Sequence, residues 1–370
     1  MRRFSVLAII GLLLGGLSPA AVASSSPQPP RITSGAAVLI DATSGEVLYS
    51  RSAYVRRSPA STTKLLTALV AVREGRLGQV VEVSRESAAV PGSSAHLRAG
   101  DRYTLRELLE GMLLRSGNDA AHAIATAVSP DVPRFAERMN RTALAIGARQ
   151  THFVNPHGLT AAHHYTSAAD LARIAQVALR QGEVRRIVAS QELTLTPQDG
   201  HGRPIRNTNS LLGSYLGADG AKTGTTNAAG KCLIASARRG DVHLIAVLLK
   251  GGDRYGDAIR LLDWGFARDG GAFVLPKGRV VGRLPDGRPL VLGRRLAGTL
   301  LDGQPLRLRV QRMSGRLPDG GLAGVAVLTR GTEPIAAAPV LTPKARLPWW
   351  FSPVRRLLPR AVDPGSLHSL

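Results

Sequence analysis

Strand-like segments stand at both ends of a long helical stretch in this chain, and that order narrows its fold more than any other feature. Ala36 to Ile40 is a short apolar strand, Asp41-Ala42-Thr43-Ser44-Gly45 reads as a turn, and Glu46 to Ser50 is a returning strand. Two hundred residues on, Lys231 to Ala237 and Val242 to Leu249 flank Arg238-Arg239-Gly240-Asp241, a hairpin, and a helix from about Tyr255 to Phe266 follows. Helical spacing governs the interval between them. Leu65, Leu66, Leu69 and Val70 make one apolar face on a helix opening near Ser61. Thr104 with Glu107 forms a capping box ahead of Leu105, Leu108, Leu109, Met112 and Leu113, which predicts a helix ending at Ser116-Gly117-Asn118 with Gly117 helping to stop it. Ser167 with Asp170 is a second capping-box pattern, leading Leu171, Ile174 and Ala178. Strands at both ends around a helical middle imply one α+β domain over residues 35–267, its sheet uniting the first and last segments.

The flanks differ in character. From about Gly270, short strands at Val280-Val281, Leu290-Val291-Leu292, Leu306 to Val310 and Val325 to Leu328 alternate with turns such as Pro285-Asp286-Gly287 and Pro318-Asp319-Gly320, a small all-β domain over 268–341. In the tail, 342–370, Trp349-Trp350-Phe351 precedes Arg355-Arg356-Leu357-Leu358. Aromatics beside arginines suit peripheral contact with the outer face of the cytoplasmic membrane; tryptophans docked on the β domain are the other reading. At the start, Met1-Arg2-Arg3, an apolar run from Phe4 to Leu17, Pro19, and Ala21-Val22-Ala23 before Ser24 form an export signal over 1–23. The run is short for a membrane span, and an uncleaved anchor is the alternative. Residues 24–34 are a Ser/Pro linker. The expected location is extracytoplasmic, in cell wall or periplasm.

Composition bounds the partners. A formal charge of +22 suits anionic lipid heads or acidic wall polymers, or reflects an arginine-rich bias spread over solvated faces. Nucleic acid is not expected: aromatics are 4 % and no basic run interleaves with them as base stacking needs. A single cysteine, Cys232, rules out an internal disulfide and reads as a buried small hydrophobe.

Three short segments carry chemistry: Ser61-Thr62-Thr63-Lys64, Ser116-Gly117-Asn118 and Lys222-Thr223-Gly224. Of the 48 basic residues only six are lysine, and two of these, Lys64 and Lys222, stand in the motifs. Arginine stays charged at any workable pH, whereas lysine can be tuned to act as a base. A serine hydroxyl is a poor nucleophile until a base takes its proton. Residues i and i+3 of a helix share a face, so Lys64 reaches Ser61. A free lysine amine, with a pKa of about 10.4, is useless near neutrality unless burial or a second cation lowers it, and Lys222 is the natural second cation. Ser116 then relays a proton toward the leaving amine. Asn118 accepts from Lys64 and holds a substrate amide with its NH₂ group. Lys222 and Thr223 suit a terminal carboxylate, and Gly224 lets its strand come close to the substrate. The N–H groups of Ser61 and Thr225 are the expected oxyanion donors.

These motifs and their surroundings resemble the low-molecular-mass penicillin-binding proteins that are D-alanyl-D-alanine carboxypeptidases. Leu39-Ile40-Asp41 with Ser44-Gly45, Arg57 to Lys64, Ser116 to Ala120, Thr151-His152-Phe153, His157-Gly158-Leu159, Tyr165-Thr166-Ser167 with Asp170, and Asp219 to Gly224 all fit that family, over roughly 35 to 267. The resemblance implies a penicillin-binding transpeptidase/β-lactamase-like domain, an antiparallel sheet with helices, and a small β domain after it. It implies Ser61 as acylated nucleophile, Lys64 as base, Ser116 and Asn118 as the second catalytic element, and Lys222 as the lysine of the third. It further implies removal of the terminal D-alanine from peptidoglycan stem pentapeptides, with β-lactam antibiotics acylating the same serine and no cofactor needed. Thr225 follows Gly224 where some members carry histidine or an aromatic, which bears on substrate preference and deacylation rate.

Other readings fail or compete on particular residues. A class A β-lactamase needs a glutamate with asparagine four residues on, but Glu137, Glu183 and Glu192 are followed at that distance by Arg141, Ile187 and Thr196. His152, His157, His163 and His164 lie close in sequence without any H-E-x-x-H or H-x-H spacing, so no metal site is expected, and His157 is expected to shape the cleft wall or to be a satisfied structural histidine. No G-x-S-x-G nucleophile elbow is present. An endopeptidase cutting D-alanyl cross-links uses the same site, and a non-catalytic wall-binding scaffold is the reading outside enzymology.

Overall fold

The computed structural model describes residues 28–313 and 320–343. The export signal, the start of the linker, most of the Pro318-Asp319-Gly320 turn and nearly all of the tail lie outside the described residues. In chain order the elements are β1 (Ala36–Asp41), β2 (Val47–Arg51), a 3₁₀ turn (Ala60–Thr63), α1 (Lys64–Glu74), β3 (Val80–Glu82), α2 (Arg85–Ala88), β4 (Arg102–Thr104), α3 (Leu105–Leu114), α4 (Asn118–Val128), α5 (Val132–Ala145), α6 (Ala168–Ala178), α7 (Gly182–Ala189), β5 (Glu192–Leu195), β6 (Arg203–Arg206), β7 (Ala218–Thr226), β8 (Gly230–Arg239), β9 (Val242–Gly251), α8 (Arg254–Arg268), β10 (Asp269–Leu275), β11 (Val280–Arg283), β12 (Pro289–Leu292), β13 (Leu296–Leu301), β14 (Leu306–Arg312), β15 (Leu322–Arg330) and β16 (Glu333–Leu341).

The main sheet runs in the order β2-β1-β9-β8-β7, every pairing antiparallel. It joins the first and last segments as the sequence predicts. Its central strands read as unbroken apolar runs because both faces are covered. Side chains alternate across a strand, so Val38, Ile40, Ile245, Val247 and Ile234 face the large helical cluster with α1, α3, α4 and α6. Leu39, Leu244, Ala246, Leu248 and Leu233 face Leu261, Leu262 and Trp264 of α8 on the other side. The strand β7 is left as an edge, beside the 3₁₀ turn that carries Ser61. A second five-stranded antiparallel sheet, β11-β12-β16-β15-β14, and the pair β10-β13 follow α8 and enclose a separate core around Leu290, Leu328 and Val340. The molecule is therefore α+β with a C-terminal all-β part, as expected.

Local departures from the sequence reading have physical causes. The helix predicted to open at Ser61 opens at Lys64; Ser61 sits in the tighter 3₁₀ turn, after Ala60 at φ +50. The Thr104–Glu107 capping box is present in full, but α3 is stopped by Ser116 at φ +61 rather than by Gly117, and Asn118 is the first residue of the next helix. Ser167 caps α6, yet the box is not closed, because the Asp170 carboxylate is taken by Gln150 N–H at 2.6 Å and Thr151 Oγ1 at 2.7 Å. The end of the segment read as linker is pinned: Ile32 is buried, and Asp257 accepts from Ser34 N at 2.7 Å and from Thr33 N at 3.0 Å.

Candidate active site

Three separate pieces of chain converge on the amine of Lys64. Nζ lies 2.9 Å from Ser61 Oγ, 2.7 Å from Asn118 Oδ1 and 2.6 Å from the main-chain carbonyl of His157. Those contacts account for all three hydrogens of an ammonium. Two of the acceptors can do nothing else. The His157 carbonyl is an acceptor by nature, and Asn118 is oriented by its own NH₂, which donates to Pro91 O at 2.6 Å, so that Oδ1 must face the lysine. A neutral amine here therefore spends both hydrogens on these two oxygens and turns its lone pair toward the Ser61 hydroxyl.

The backbone around this contact is closely fitted. Gly158 at φ +89 packs on the Ala60 carbonyl so tightly that a Cβ would collide with it, which brings the 155–159 loop against the Ser61 turn and delivers the His157 carbonyl. Gly224 of the edge strand makes the opposite wall: a Cβ there would lie 2.9 Å from Ser61 N and 3.1 Å from the Ala60 Cβ. Ala60 and Ser116 both take left-handed backbone conformations that side chains avoid, a strain that persists only where surroundings impose it. Asp119, in the first turn of α4, fixes the facing loop by accepting from Ala95 N at 2.9 Å, Leu97 N at 3.2 Å and Ser94 Oγ at 2.6 Å.

Burial sets the electrostatics. Lys64 and Lys222 are both fully buried. Desolvation holds the Lys64 amine well below its ordinary value, and the charge of Lys222 pushes the same way, against Asp119. Desolvation, then Arg254, brings Lys222 down to about 7; its Nζ donates to Thr223 O at 3.0 Å. The Thr223 hydroxyl shares a 2.8 Å hydrogen bond with Thr208. Ser116 is 5 % exposed, and its hydroxyl makes no protein hydrogen bond among the described residues. His157 enters through its carbonyl, while its ring, driven down to about 3 by burial and then by Lys64, accepts from Leu159 N–H at 3.2 Å. The other histidines disperse to separate tasks: His164 Nδ1 accepts from Val154 N–H and its Nε2 faces Thr63 Oγ1 at 3.0 Å, and His152 Nδ1 donates to the His163 carbonyl.

Sequence reasoning missed Arg254. It opens α8 behind the Asp253 cap and donates to Gly224 O and Thr225 Oγ1, both at 3.1 Å, with its guanidinium over the Tyr255 ring. A cation in the first turn of a helix opposes the helix dipole. That misplaced charge, legible in Asp253-Arg254, was the available signal.

The comparisons with known proteins agree with this geometry. The sequence model of the D-alanyl-D-alanine carboxypeptidase family matches residues 23–252. The chain is 34 % identical to D-alanyl-D-alanine carboxypeptidase DacF of Bacillus subtilis over 282 residues, 72 % of each chain. It is 37 % identical to DacD of Escherichia coli over 272 residues, covering 70 % of this chain and 69 % of that one. Among solved structures, penicillin binding protein 5 of Haemophilus influenzae superposes with a TM-score of 0.76 at 28 % identity, over 86 % of this chain and 99 % of that one. A point mutant of the Streptomyces K15 DD-transpeptidase superposes with a TM-score of 0.61 at 32 % identity, over 64 % and 99 %. With a family match over more than half its length and an amine bound to a serine hydroxyl at the meeting point of its motifs, this chain belongs to the D-alanyl-D-alanine carboxypeptidase family of serine peptidases.

Proposed function

We propose that this chain removes the terminal D-alanine from peptidoglycan stem pentapeptides through an acyl-enzyme on Ser61. The observation that carries the reading is the Lys64 amine, 2.9 Å from Ser61 Oγ, with its two other hydrogens committed to Asn118 and His157. Neutral Lys64 takes the Ser61 proton as Oγ bonds to the carbonyl carbon of the penultimate D-alanine. The carbonyl oxygen becomes an oxyanion between the N–H groups of Ser61 and Thr225, an arrangement whose loss typically costs 10²–10³ in rate. As the C–N bond breaks, the proton on Lys64 passes through the unpartnered Ser116 hydroxyl to the departing amine. Water then attacks the ester, gives its proton to Lys64, and returns Ser61 to its hydroxyl form.

The substrate lies extended beside β7, where an edge strand offers unpaired main-chain groups to a peptide. Lys222, Thr223 and Arg254 stand where its free carboxylate ends. That cationic end favours a carboxypeptidase over an endopeptidase, whose substrate has no free terminus there. A β-lactam reacts with Ser61 by the same steps. The leader over 1–23 makes the protein an exported one, acting in the cell wall or periplasm, and the aromatic-arginine tail gives it peripheral membrane contact.

Incubation with a peptide ending in D-alanyl-D-alanine, followed by mass spectrometry, is expected to show loss of one alanine residue. An intact peptide, together with no covalent labelling by a fluorescent penicillin, would leave a wall-binding scaffold as the reading.

A further inference from the structure

Several arginines of this molecule meet a carboxylate. Arg186 reaches Glu110 at 2.6 Å, Arg268 reaches Asp302 at 2.7 Å and Arg330 reaches Glu46 at 2.6 Å. Around one cavity arginines gather without such a partner. A space of about 310 Å³ opens between the end of α6, α7, the turn after β1 and the far ends of β8 and β9, lined by Arg180, Arg185, Arg238, Arg295 and His243. An adjoining space of about 220 Å³ shares Arg180 and Arg295 and adds Arg173.

None of these five arginines pairs with a carboxylate among the described residues. Arg295 donates to the carbonyls of Thr43 and Ser44, Arg173 to Ile146 O and Gln176 Oε1, and Arg238 to His243 Nδ1. Arg180 and Arg185 have no side-chain partner at all among those residues. The acids nearby are already engaged or at a distance: Asp219 lies 3.3 Å from His243 Nε2, and Asp41 acts on Arg295 only through space. Burial lowers the proton affinity of both Arg173 and Arg295, and the charge of Arg180 lowers it further. Cations gathered this way repel one another, and an anion entering between them replaces repulsion by attraction. Guanidinium forks match phosphoryl oxygens in shape as well as charge.

We propose that this cavity binds an anionic phosphoryl group, a diphosphate or a phosphodiester, at a site separate from Ser61. The separation follows from β8, which passes Gly224 at Cys232 and reaches the cavity at Arg238. Six strand residues at about 3.3 Å each put the two sites about 20 Å apart. The inference is independent of the reaction assigned to Ser61, and it gives the arginine-rich composition a local use.

The test uses the whole chain and inorganic pyrophosphate as probe. Pyrophosphate is expected to bind saturably at one per chain and to raise the melting temperature with concentration, as any ligand of the folded state does. Arg180→Ala with Arg185→Ala removes side chains that hold no part of the fold, and is expected to weaken binding at least tenfold. Arg149→Ala with Arg309→Ala removes the same charge elsewhere on the surface and is expected to keep it. Penicillin acylation should be unchanged in both. Vesicles of phosphatidylglycerol, against phosphatidylcholine, distinguish the source of the group. Vesicle binding lost with the Arg180/Arg185 pair assigns the site to a lipid headgroup; vesicle binding kept while pyrophosphate affinity falls assigns it to a soluble or polymer-borne phosphoryl group. Absence of saturable pyrophosphate binding, or equal weakening by both pairs of substitutions, would overturn the proposal.

Discussion

Lys64 owes its proposed role as a base to where its hydrogen bonds go. Two fixed oxygens take the hydrogens of the neutral amine and leave its lone pair on Ser61. Ser61→Ala is therefore expected to abolish labelling by a fluorescent penicillin while thermal unfolding stays as in the parent; persisting label would relocate the nucleophile. The second lysine supplies a pH signature. A group held at about 7 is cationic below that value and neutral above it, so carboxylate binding by Lys222 is present in acid and is lost as pH rises through 7. Lys64 is shifted in the same direction, by burial first and then by the charge of Lys222. The alkaline limb of kcat/KM is thus expected near neutrality. Lys222→Arg should lower turnover steeply, by a factor of about 10² if an anchoring contact of transition-state strength is misplaced, and should move the alkaline limb beyond pH 9, because guanidinium does not titrate there. A limb that stays in place would take Lys222 out of carboxylate binding. At this scale the sequence was legible where the proposed chemistry demands a residue type: Ser61, Lys64, Asn118 and Lys222 were named from their motifs, and the structure brings Ser61 and Asn118 onto the Lys64 amine with Lys222 acting on it. The carbonyls of Pro91 and His157 were not, since a main-chain oxygen has no residue signature, and only the fold decides which one arrives.

The active cleft is made where one element ends and another runs bare: the 3₁₀ turn of Ser61 against the edge strand β7. Gly224 sets their distance. In Gly224→Ala the new methyl, 2.9 Å from Ser61 N, must push the strand away. Overpacking of this kind costs about 1–3 kcal/mol. Acylation is expected to fall by at least 10² through the displaced N–H of Thr225, whereas melting temperature should drop by only a few degrees; an unchanged acylation rate in stopped-flow would show that β7 does not form the wall. Elements were legible where pattern and burial agree. The strands β1, β8 and β9, covered on both faces, stood out as apolar runs, and α3 was announced by its capping box. The strand β16 was not recognised, because Glu333–Leu341 contains Pro334, Pro339 and three alanines, residues poor in strand propensity. It is nonetheless internal to its sheet. The missing N–H of Pro339 lies on the same side as its carbonyl, which accepts from Gly293 N at 2.7 Å, and β12 pairs only as far as Val340, so no ladder bond is lost.

Across the whole molecule, the two sheets are tied through the β1–β2 turn. Glu46 accepts from Thr299 N at 2.7 Å and from Arg330 at 2.6 Å, Ser44 Oγ meets Thr299 Oγ1 at 2.8 Å, and Arg268 grips Asp302 with two nitrogens. The α+β class and the C-terminal strands were readable from patterning, but this junction was not. Glu46 and Arg330 lie 284 positions apart, and neither differs in sequence from the many solvated charges around it. Both are largely buried, with side chains 15 % and 10 % exposed, so the pair belongs to the class whose worth depends on what replaces it. Removing one partner strands the other charge, at a cost of about 3–5 kcal/mol, whereas removing both and filling the space is often nearly neutral. Glu46→Ala should therefore lower stability by that amount in chemical denaturation, and Glu46→Leu combined with Arg330→Met should recover most of it. The residues proposed to react belong to the 3₁₀ turn, α1, α4 and the edge strand β7, none of which contributes to this junction, so the penicillin acylation rate of the folded fraction should match the parent in both variants. If the double variant were as unstable as the single one, the junction would owe its strength to the Thr299 and Ser44 hydrogen bonds instead. If acylation fell with stability, the C-terminal sheet would be part of the catalytic apparatus rather than a separate body fastened to it.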